Sequence, residues 1–141
     1  MLHAELNQDL LRGGQKFPRP LMRKVLAACS RELKLKGDAT ISIGFISPSK
    51  MRKLNRDWRG KDAVTDVLSF EFSEGTLKGE IALCYEQAAR QAQEIGHSTR
   101  DELCVLIVHA VLHLWGYDHE KPTDAKRMFP LQEKILRSLH L

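Results

Sequence analysis

The sequence predicts an α+β fold in which about five helices pack against a small mixed sheet of about four strands. Segments in which apolar residues alternate, typical of strands, are interleaved with longer segments in which they recur at helical spacing. The chain has 141 residues, of which 43% are hydrophobic and 28% are charged, as in ordinary globular proteins. This length predicts a single domain over residues 1–141.

The amino-terminal half is expected to contain two strands and two helices. Alternating apolar residues predict an edge strand over 2–6 and a second strand over 39–46. Between them, apolar residues at helical spacing predict a helix over 21–33. Ser47-Pro48 combines a favoured N-cap with a favoured first helical residue, and therefore predicts a short helix after the second strand.

The carboxyl-terminal half is expected to add two strands and three helices. The same patterns predict strands over 67–72 and 79–84, and helices over 86–95 and 125–139. Thr99 with Glu102 predicts a capping box at the start of another helix, which would be the central one. Pro122 is expected to break the loop between that helix and the last one.

The central helix carries three histidines at the spacing of metal ligands. His109 and His113 are four residues apart and therefore share one helix face. Gly116 favours the left-handed conformation that ends helices, so His119 can return to the same point. Every other residue from 103 to 115 is apolar, and an imidazole buried without a partner costs about 1–3 kcal/mol. The pattern therefore predicts a divalent metal, best matched by zinc, on the central helix.

The chemistry of this metal site is constrained by the residue after the first histidine. The spacing is similar to that of metzincin zinc proteases, in which a glutamate at that position is the general base. Here the position is Ala110, which weighs against peptide hydrolysis by that mechanism. Three neutral imidazoles leave a fourth coordination position open, which is typical of catalytic zinc rather than structural zinc.

Charge is distributed unevenly along the chain. Residues 1–61 carry 14 Lys and Arg against 5 Asp and Glu, whereas the remainder carries 8 against 13. On charge alone, solvation of helix faces is the simpler explanation of the basic half. Combined with a hydrolytic metal site, the basic half favours nucleic acid as an anionic partner.

Cysteine usage and hydropathy indicate the compartment. Cys29, Cys84 and Cys104 are scattered and form no CxxC motif, which is typical of buried thiols in a reducing compartment. The start of the sequence lacks a basic segment followed by an apolar run, and the longest apolar run, 103–108, is too short for a membrane span. We therefore expect a cytoplasmic protein with no signal peptide and no membrane partner.

Several short motifs together resemble the YbeY family, and they cover most of the chain beyond about residue 40. In chain order they are Leu54-Asn55 with Trp58-Arg59, the run Thr-Asp-Val-Leu-Ser-Phe at 65–70, Gly79-Glu80-Ile81, Gly96-His97-Ser98, Asp101-Glu102-Leu103, and the three histidines ending in Gly-Tyr-Asp-His. The sequence departs from the family pattern at Val64, Glu71, Glu80 and Ala110. These departures leave the three histidines and Arg59 intact.

The resemblance implies a metal-dependent endoribonuclease that is specific for single strands and holds one zinc ion, or another divalent metal, per chain. Its implied partners are single-stranded RNA, rRNA and the small ribosomal subunit. Its implied roles are 3′-end maturation of small-subunit rRNA and ribosome quality control. Two alternatives stay open from the residues themselves: a non-enzymatic ribosome assembly factor with a structural zinc, and a zinc hydrolase of another substrate class.

Arg59 is the predicted catalytic residue outside the histidine triad. A planar guanidinium can bind two phosphate oxygens at once, which suits a phosphate clamp. Without the family resemblance, Arg59 would be interpreted as a surface residue at the end of a basic helix. Lys53 and Arg56 of that helix are predicted to add to substrate binding.

Acidic residues near the motifs fit more than one role. Asp118 precedes a metal ligand, so it is a candidate to orient an imidazole from behind, although a turn role fits its position equally. Asp66, Glu80 and Glu120 also lie near the motifs. The sequence does not assign a general base among them.

Overall fold

A four-stranded sheet and five α-helices form the fold of this chain. The computed structural model describes residues 1–140, except for the side chain of Phe72. The strands are β1 (Leu2–Asn7), β2 (Ala39–Phe45), β3 (Val67–Glu74) and β4 (Leu77–Leu83). The helices are α1 (Arg19–Glu32), α2 (Pro48–Arg59), α3 (Tyr85–Ile95), α4 (Thr99–Leu114) and α5 (Pro122–Ser138), with a short 3-10 turn at Gly13–Gln15. The predicted α+β class is confirmed.

The sheet is mixed, with the strand order β1-β2-β4-β3. β2 pairs in parallel with both β1 and β4, whereas β3 and β4 form an antiparallel hairpin. Gly75 turns that hairpin with a φ of 63°, in the left-handed region that favours glycine. The predicted edge position of β1 is confirmed.

Helix α4 is the centre of the hydrophobic core. It packs against α1, α3 and α5 and against strands β3 and β4. Ile107 and Leu112 are fully buried within it, and each such side chain stabilises the fold by roughly 1.5–3 kcal/mol. From Leu103 onward most of α4 is buried among these neighbours, and the half-buried His109 and His113 are held on the side that they leave open. No helix within residues 1–140 has both the length and the hydropathy needed to cross a membrane.

Gly79 lets α4 approach the β3–β4 hairpin closely. A Cβ atom at this position would lie 2.6 Å from Cδ2 of Leu114 and 2.7 Å from the carbonyl oxygen of Phe70. Both distances are shorter than van der Waals contact, so a larger residue would push the end of α4 away from the strands. Glycine at this position therefore brings the histidine-bearing end of α4 next to β3.

The start of α4 differs from the predicted capping box. Ser98, with extended backbone angles, is the N-cap, and its Oγ accepts a hydrogen bond from the backbone N–H of Asp101 at 3.1 Å. Thr99 is already inside the helix. Glu102 does not reach back to the N-cap, because its carboxylate accepts hydrogen bonds from His97 and Gln91 instead.

The last helix begins earlier than predicted, at Pro122 rather than at residue 125. The expectation that Pro122 breaks the preceding loop is therefore wrong. Proline suits the first turn of a helix because its missing N–H would have no partner there and its φ is already helical.

The three cysteines are buried, as predicted. Burial raises the pKa of Cys29 to about 12, and burial together with the nearby Asp101 raises the pKa of Cys104 to about 12. Burial is also the main cause of the raised pKa of Cys84. The thiols are therefore protonated and act as small core residues.

Candidate metal centre

The three predicted histidines converge at the carboxyl-terminal end of α4. His109 and His113 lie one helical turn apart, and their Nε2 atoms are 3.0 Å from each other. The ring centroid of His119 lies 5.2 Å from that of His109 and 5.3 Å from that of His113. One ligand atom from each residue lies within 4.8 Å of the others. Gly116, with a φ of 91°, makes the left-handed turn that brings His119 back.

The outer ring nitrogens of two histidines face hydrogen-bond acceptors. His109 Nδ1 lies 2.8 Å from Oε1 of Gln132 in α5, and His113 Nδ1 lies 2.9 Å from the carbonyl oxygen of Tyr117. These acceptors favour the tautomer with the proton on Nδ1, and therefore leave the lone pair on Nε2. The lone pairs of the two Nε2 atoms thus point at each other, an arrangement that a shared cation stabilises.

The geometry of this donor set fits a divalent metal. Two ligands at about 2.0–2.1 Å from one tetrahedral zinc ion would be about 3.3 Å apart, and the separation of the Nε2 atoms of His109 and His113 is 3.0 Å. Burial is the main cause that lowers the pKa of both histidines. Their rings are therefore held in the neutral form that binds metals.

Helix α5 supplies two contacts to the triad that the sequence analysis missed. Besides Gln132, Phe129 stacks on the ring of His119, with centroids 5.5 Å apart and an interplanar angle of 30°. Both residues lie one helical turn apart on α5, so a single helix face supports two of the three ligands. The sequence of α5 does not distinguish Phe129 and Gln132 from their neighbours. Their role follows only from the packing of α5 on α4.

The histidines open onto a cleft of about 930 Å³. Its other walls come from the end of α2, the loop that follows it, the start of β3 and the turn after α4. The charged residues that line it, apart from the histidines, are Arg59, Lys61, Asp66, Glu71, Asp118 and Glu120. Carboxylates outnumber basic groups, so a bound cation would offset an excess of negative charge.

Arg59 lies in the same cleft as the triad and is the last residue of α2. Its Nη2 donates a hydrogen bond to the carbonyl oxygen of Ser69 at 2.6 Å, and its Nη1 donates to that of Trp58 at 3.3 Å. The guanidinium carbon lies 5.0 Å from the centroid of the Phe70 ring. Because a guanidinium has five N–H donors, these contacts fix the side chain and leave donors for an anion.

Lys53 and Arg56 are exposed on α2, but they are not among the residues that line the cleft. Arg56 contacts Asp57 at 3.3 Å and Asp62 at 4.0 Å. The structure therefore brings only Arg59 of the predicted basic set together with the histidines. Binding of RNA by Lys53 and Arg56 stays a prediction about the surface beside the cleft.

Asp118 lines the cleft, but its carboxylate contacts the backbone of the next residue. Its Oδ1 accepts a hydrogen bond from the N–H of His119 at 2.7 Å, and this bond is the main cause that lowers the pKa of Asp118. This contact matches the turn role, whereas Gln132 and Tyr117 hold the imidazoles. Of the other acids considered, Asp66 and Glu120 line the cleft, and the exposed Glu80 does not.

A partly buried network of hydrogen bonds leads from α4 to the cleft wall. The carboxylate of Glu102, which is 4% exposed, lies 3.0 Å from Nε2 of His97 and accepts from Nε2 of Gln91 at 3.1 Å. Gln91 also donates to Oδ2 of Asp66 at 2.8 Å. The Oδ1 of Asp66 accepts from the N–H of Val67 at 2.7 Å. The network therefore holds Asp66 where β3 enters the cleft.

Comparison with known proteins gives consistent matches over nearly the whole sequence. The family model described as Endoribonuclease YbeY matches residues 11–140. Proteins named Endoribonuclease YbeY from Ureaplasma urealyticum and Anaeromyxobacter sp. are 45% and 44% identical, over 69% and 73% of this chain and 65% and 56% of theirs. This chain thus spans less than two thirds of the length of these two relatives.

Two further matches cover a larger share of the matched protein's own length. The protein named Endoribonuclease YbeY from Staphylococcus carnosus is 39% identical over 79% of this chain and 80% of its own. A solution structure of a protein from Thermotoga maritima matches with a TM-score of 0.68 and 31% identity, over 99% of this chain and 89% of that chain.

Proposed function

Because this chain belongs to the YbeY family, we propose that it is a zinc-dependent endoribonuclease that cleaves single-stranded RNA. Its proposed targets are rRNA and the small ribosomal subunit, with roles in 3′-end maturation of small-subunit rRNA and in ribosome quality control. We further propose a cytoplasmic location, one zinc ion per chain and one domain over residues 1–141. The observation that carries the proposal is the convergence of three histidines and Arg59 on one cleft.

The three histidines would hold the metal through their inward-facing nitrogens. A bound divalent ion would polarise a phosphate oxygen and bring the pKa of a water molecule towards neutrality. Gln132 and the carbonyl of Tyr117 keep two of the rings oriented for this task. The open cleft beside the rings has room for a phosphodiester and its flanking nucleotides.

Arg59 binds the phosphate in this proposal. One hydrogen bond to the carbonyl oxygen of Ser69 in β3 and the cation–π contact with the ring of Phe70 fix its guanidinium in advance, so little ordering is needed when RNA arrives. The phosphodiester gains negative charge as the reaction proceeds, and a fixed donor stabilises that charge more than it stabilises the starting phosphate. Such a donor is worth about 2.7–4 kcal/mol in comparable oxyanion sites.

The carboxylates that line the cleft oppose the binding of RNA. Asp66, Glu71, Asp118 and Glu120 all line it, and their charges repel a phosphate backbone. Only Arg59 and Lys61 oppose them among the lining residues other than histidine. A bound divalent cation would offset this excess of negative charge, and RNA should enter the cleft more readily once the triad is occupied.

Two observations favour this function over the alternatives. Within residues 1–140, the group that could hold a metal consists of three histidines beside an open cleft, which supports a catalytic site over a closed structural one. Ala110, at the position of the protease general base, is 1% exposed and contributes a methyl group to the core. A peptide hydrolase of that mechanism is therefore disfavoured.

Metal analysis combined with RNA cleavage tests the proposed function. Wild-type protein should contain one zinc ion per chain and cleave single-stranded RNA in preference to duplex RNA and to protein substrates. His113→Ala should lose both zinc and cleavage, whereas His3→Ala, a histidine exposed on β1, should retain both. Cleavage by His113→Ala at the wild-type rate, or hydrolysis of protein rather than RNA, would contradict the proposal.

A further inference from the structure

Trp58 is the most exposed of the large hydrophobic side chains described within residues 1–140, at 66%. Single exposed hydrophobic residues are common on protein surfaces, so exposure alone identifies no site. What distinguishes Trp58 is its position, because it directly precedes Arg59 at the end of α2. Gly60 ends the helix there in the left-handed conformation, with its N–H bonded to the carbonyl of Arg56.

Phe70 contacts both Trp58 and Arg59, and of these three residues only Arg59 lines the cleft. The rings of Trp58 and Phe70 meet edge to face, with centroids 6.2 Å apart and an interplanar angle of 75°. The same Phe70 ring lies 5.0 Å from the guanidinium carbon of Arg59. The edge contact fixes the indole while most of its surface stays open to solvent.

We propose that Trp58 is a stacking site for an unpaired nucleobase of the RNA whose phosphate Arg59 binds. This inference rests on the proposed function, and it assigns to Trp58 the protein's preference for single-stranded RNA. Bases in a duplex already stack on their neighbours, whereas an unpaired base offers its π-face to an aromatic side chain. Because every base has such a face, the preference would concern strandedness more than sequence.

The basic groups that follow Trp58 favour RNA as its partner. Arg59 and Lys61 both line the cleft, whereas Arg56, two residues before Trp58, contacts Asp57 and Asp62. Aromatic rings interleaved with basic groups along a groove are typical of sites for single-stranded nucleic acids. Ile95 provides a contrast, since it is 64% exposed at the end of α3 but, unlike Trp58, is not next to a residue that lines the cleft.

Single-turnover cleavage by zinc-loaded protein, at increasing protein concentration, separates binding from chemistry. Trp58→Ala should raise the half-saturating concentration roughly five- to a hundredfold while changing the maximal rate much less. Trp58→Phe should recover most of the binding, because a phenyl ring still stacks. Ile95→Ala is the matched control and should behave as wild type. Equal half-saturating concentrations for Trp58→Ala and wild type would overturn the inference.

Abasic RNA shows whether Trp58 contacts a base. Replacing the nucleotide beside the cleaved bond with an abasic one should weaken binding to wild type but not to Trp58→Ala, since the base and the indole make one shared interaction. If the abasic penalty is the same for both proteins, Trp58 touches no base. If Trp58→Ala changes neither readout, the indole serves another surface, such as a protein contact, and the inference is wrong.

Indole fluorescence tests the stacking without relying on cleavage. In Trp115→Phe the only tryptophan is Trp58, and single-stranded RNA should quench its emission more strongly than duplex RNA does. Trp58→Phe, which retains Trp115, should respond little. RNA that binds and is cleaved without quenching Trp58 would overturn the stacking inference alone. If wild-type protein neither cleaves RNA nor shows quenching by it, the proposed function and the inference both fail.

Discussion

Gln132 of α5 lies with its Oε1 2.8 Å from Nδ1 of His109, across an interval of 23 residues. This hydrogen bond joins the last helix to the centre of the candidate metal site. It favours one tautomer and one rotation of this ligand. The metal affinity of α4 should therefore depend on a residue that is not itself a ligand.

We expect Gln132→Leu to weaken zinc binding by roughly 10- to 100-fold, because contacts that orient metal ligands typically have that effect. The measurement is a competition titration of metal-free protein against a chelator of known affinity. Gln93→Leu, at an exposed position of α3, is the control and should leave the affinity unchanged. Equal affinities for Gln132→Leu and wild type would show that His109 needs no support from α5.

Arg59→Ala should keep the fold and the metal but lose most RNA cleavage. The expected loss is roughly a hundredfold to a thousandfold in single-turnover rate, as for removal of a fixed oxyanion donor. Arg59→Lys should recover only part of the rate, because an ammonium cannot bind two phosphate oxygens in the planar geometry of a guanidinium.

Arg52→Ala is the matched control for Arg59. Arg52 lies on the same helix, but it donates to Asp62 at 2.7 Å and does not line the cleft. Its removal should leave the cleavage rate near that of wild type at equal zinc occupancy. A near wild-type rate for Arg59→Ala as well would show that another group binds the phosphate.

Lys53→Glu should weaken RNA binding in a salt-dependent way, as expected if the basic surface of α2 contacts the phosphate backbone. Each phosphate contact that is lost should reduce the slope of log affinity against log salt by about 0.7 for single strands. Lys36→Glu introduces the same charge change at an exposed position after α1, outside the cleft lining. Identical salt slopes for Lys53→Glu and Lys36→Glu would rule out a specific contact by α2.

Removal of the buried carboxylate of Glu102 should destabilise the protein. In Glu102→Ala the side chains of His97 and Gln91 lose a shared acceptor. A donor left unpaired away from water costs about 1–3 kcal/mol, and the cost is reduced here because His97 is 30% exposed and Gln91 keeps its bond to Asp66. Denaturant unfolding measures the loss, with Glu94→Ala, at an exposed position of α3, as the control. A free energy of unfolding equal to that of wild type would mean that the network contributes no stability.

Features set by neighbouring residues could be predicted from the sequence. The one-turn spacing of His109 and His113 and the left-handed turn at Gly116 depend on local backbone geometry, so the triad was predicted before any packing was known. The alternation of apolar residues likewise predicted the four strands within a few residues of their ends. Arg59 differs, because its place in the cleft was inferred from the family resemblance.

Contacts between residues far apart in the chain could not be predicted from local sequence patterns. The contacts of Gln132 with His109 and of Arg59 with the carbonyl of Ser69 exist only once helices and strands have packed. At the start of α4, Ser98 and Thr99 are both good capping residues, and the sequence alone does not separate them. The hydrogen bonds of His97 and Gln91 to Glu102, which replace the expected capping box, also depend on packing.

Titration of metal-free protein with zinc, with cleavage of single-stranded RNA followed at each step, is the decisive measurement for a zinc-dependent ribonuclease. We expect no cleavage without metal, a rate that rises in proportion to bound zinc, and saturation at one zinc ion per chain. His119→Ala should bind zinc weakly and show no such rise. Cleavage by metal-free protein at the full rate, or a fully zinc-loaded protein that leaves RNA intact, would show that the histidine triad does not hold a catalytic zinc.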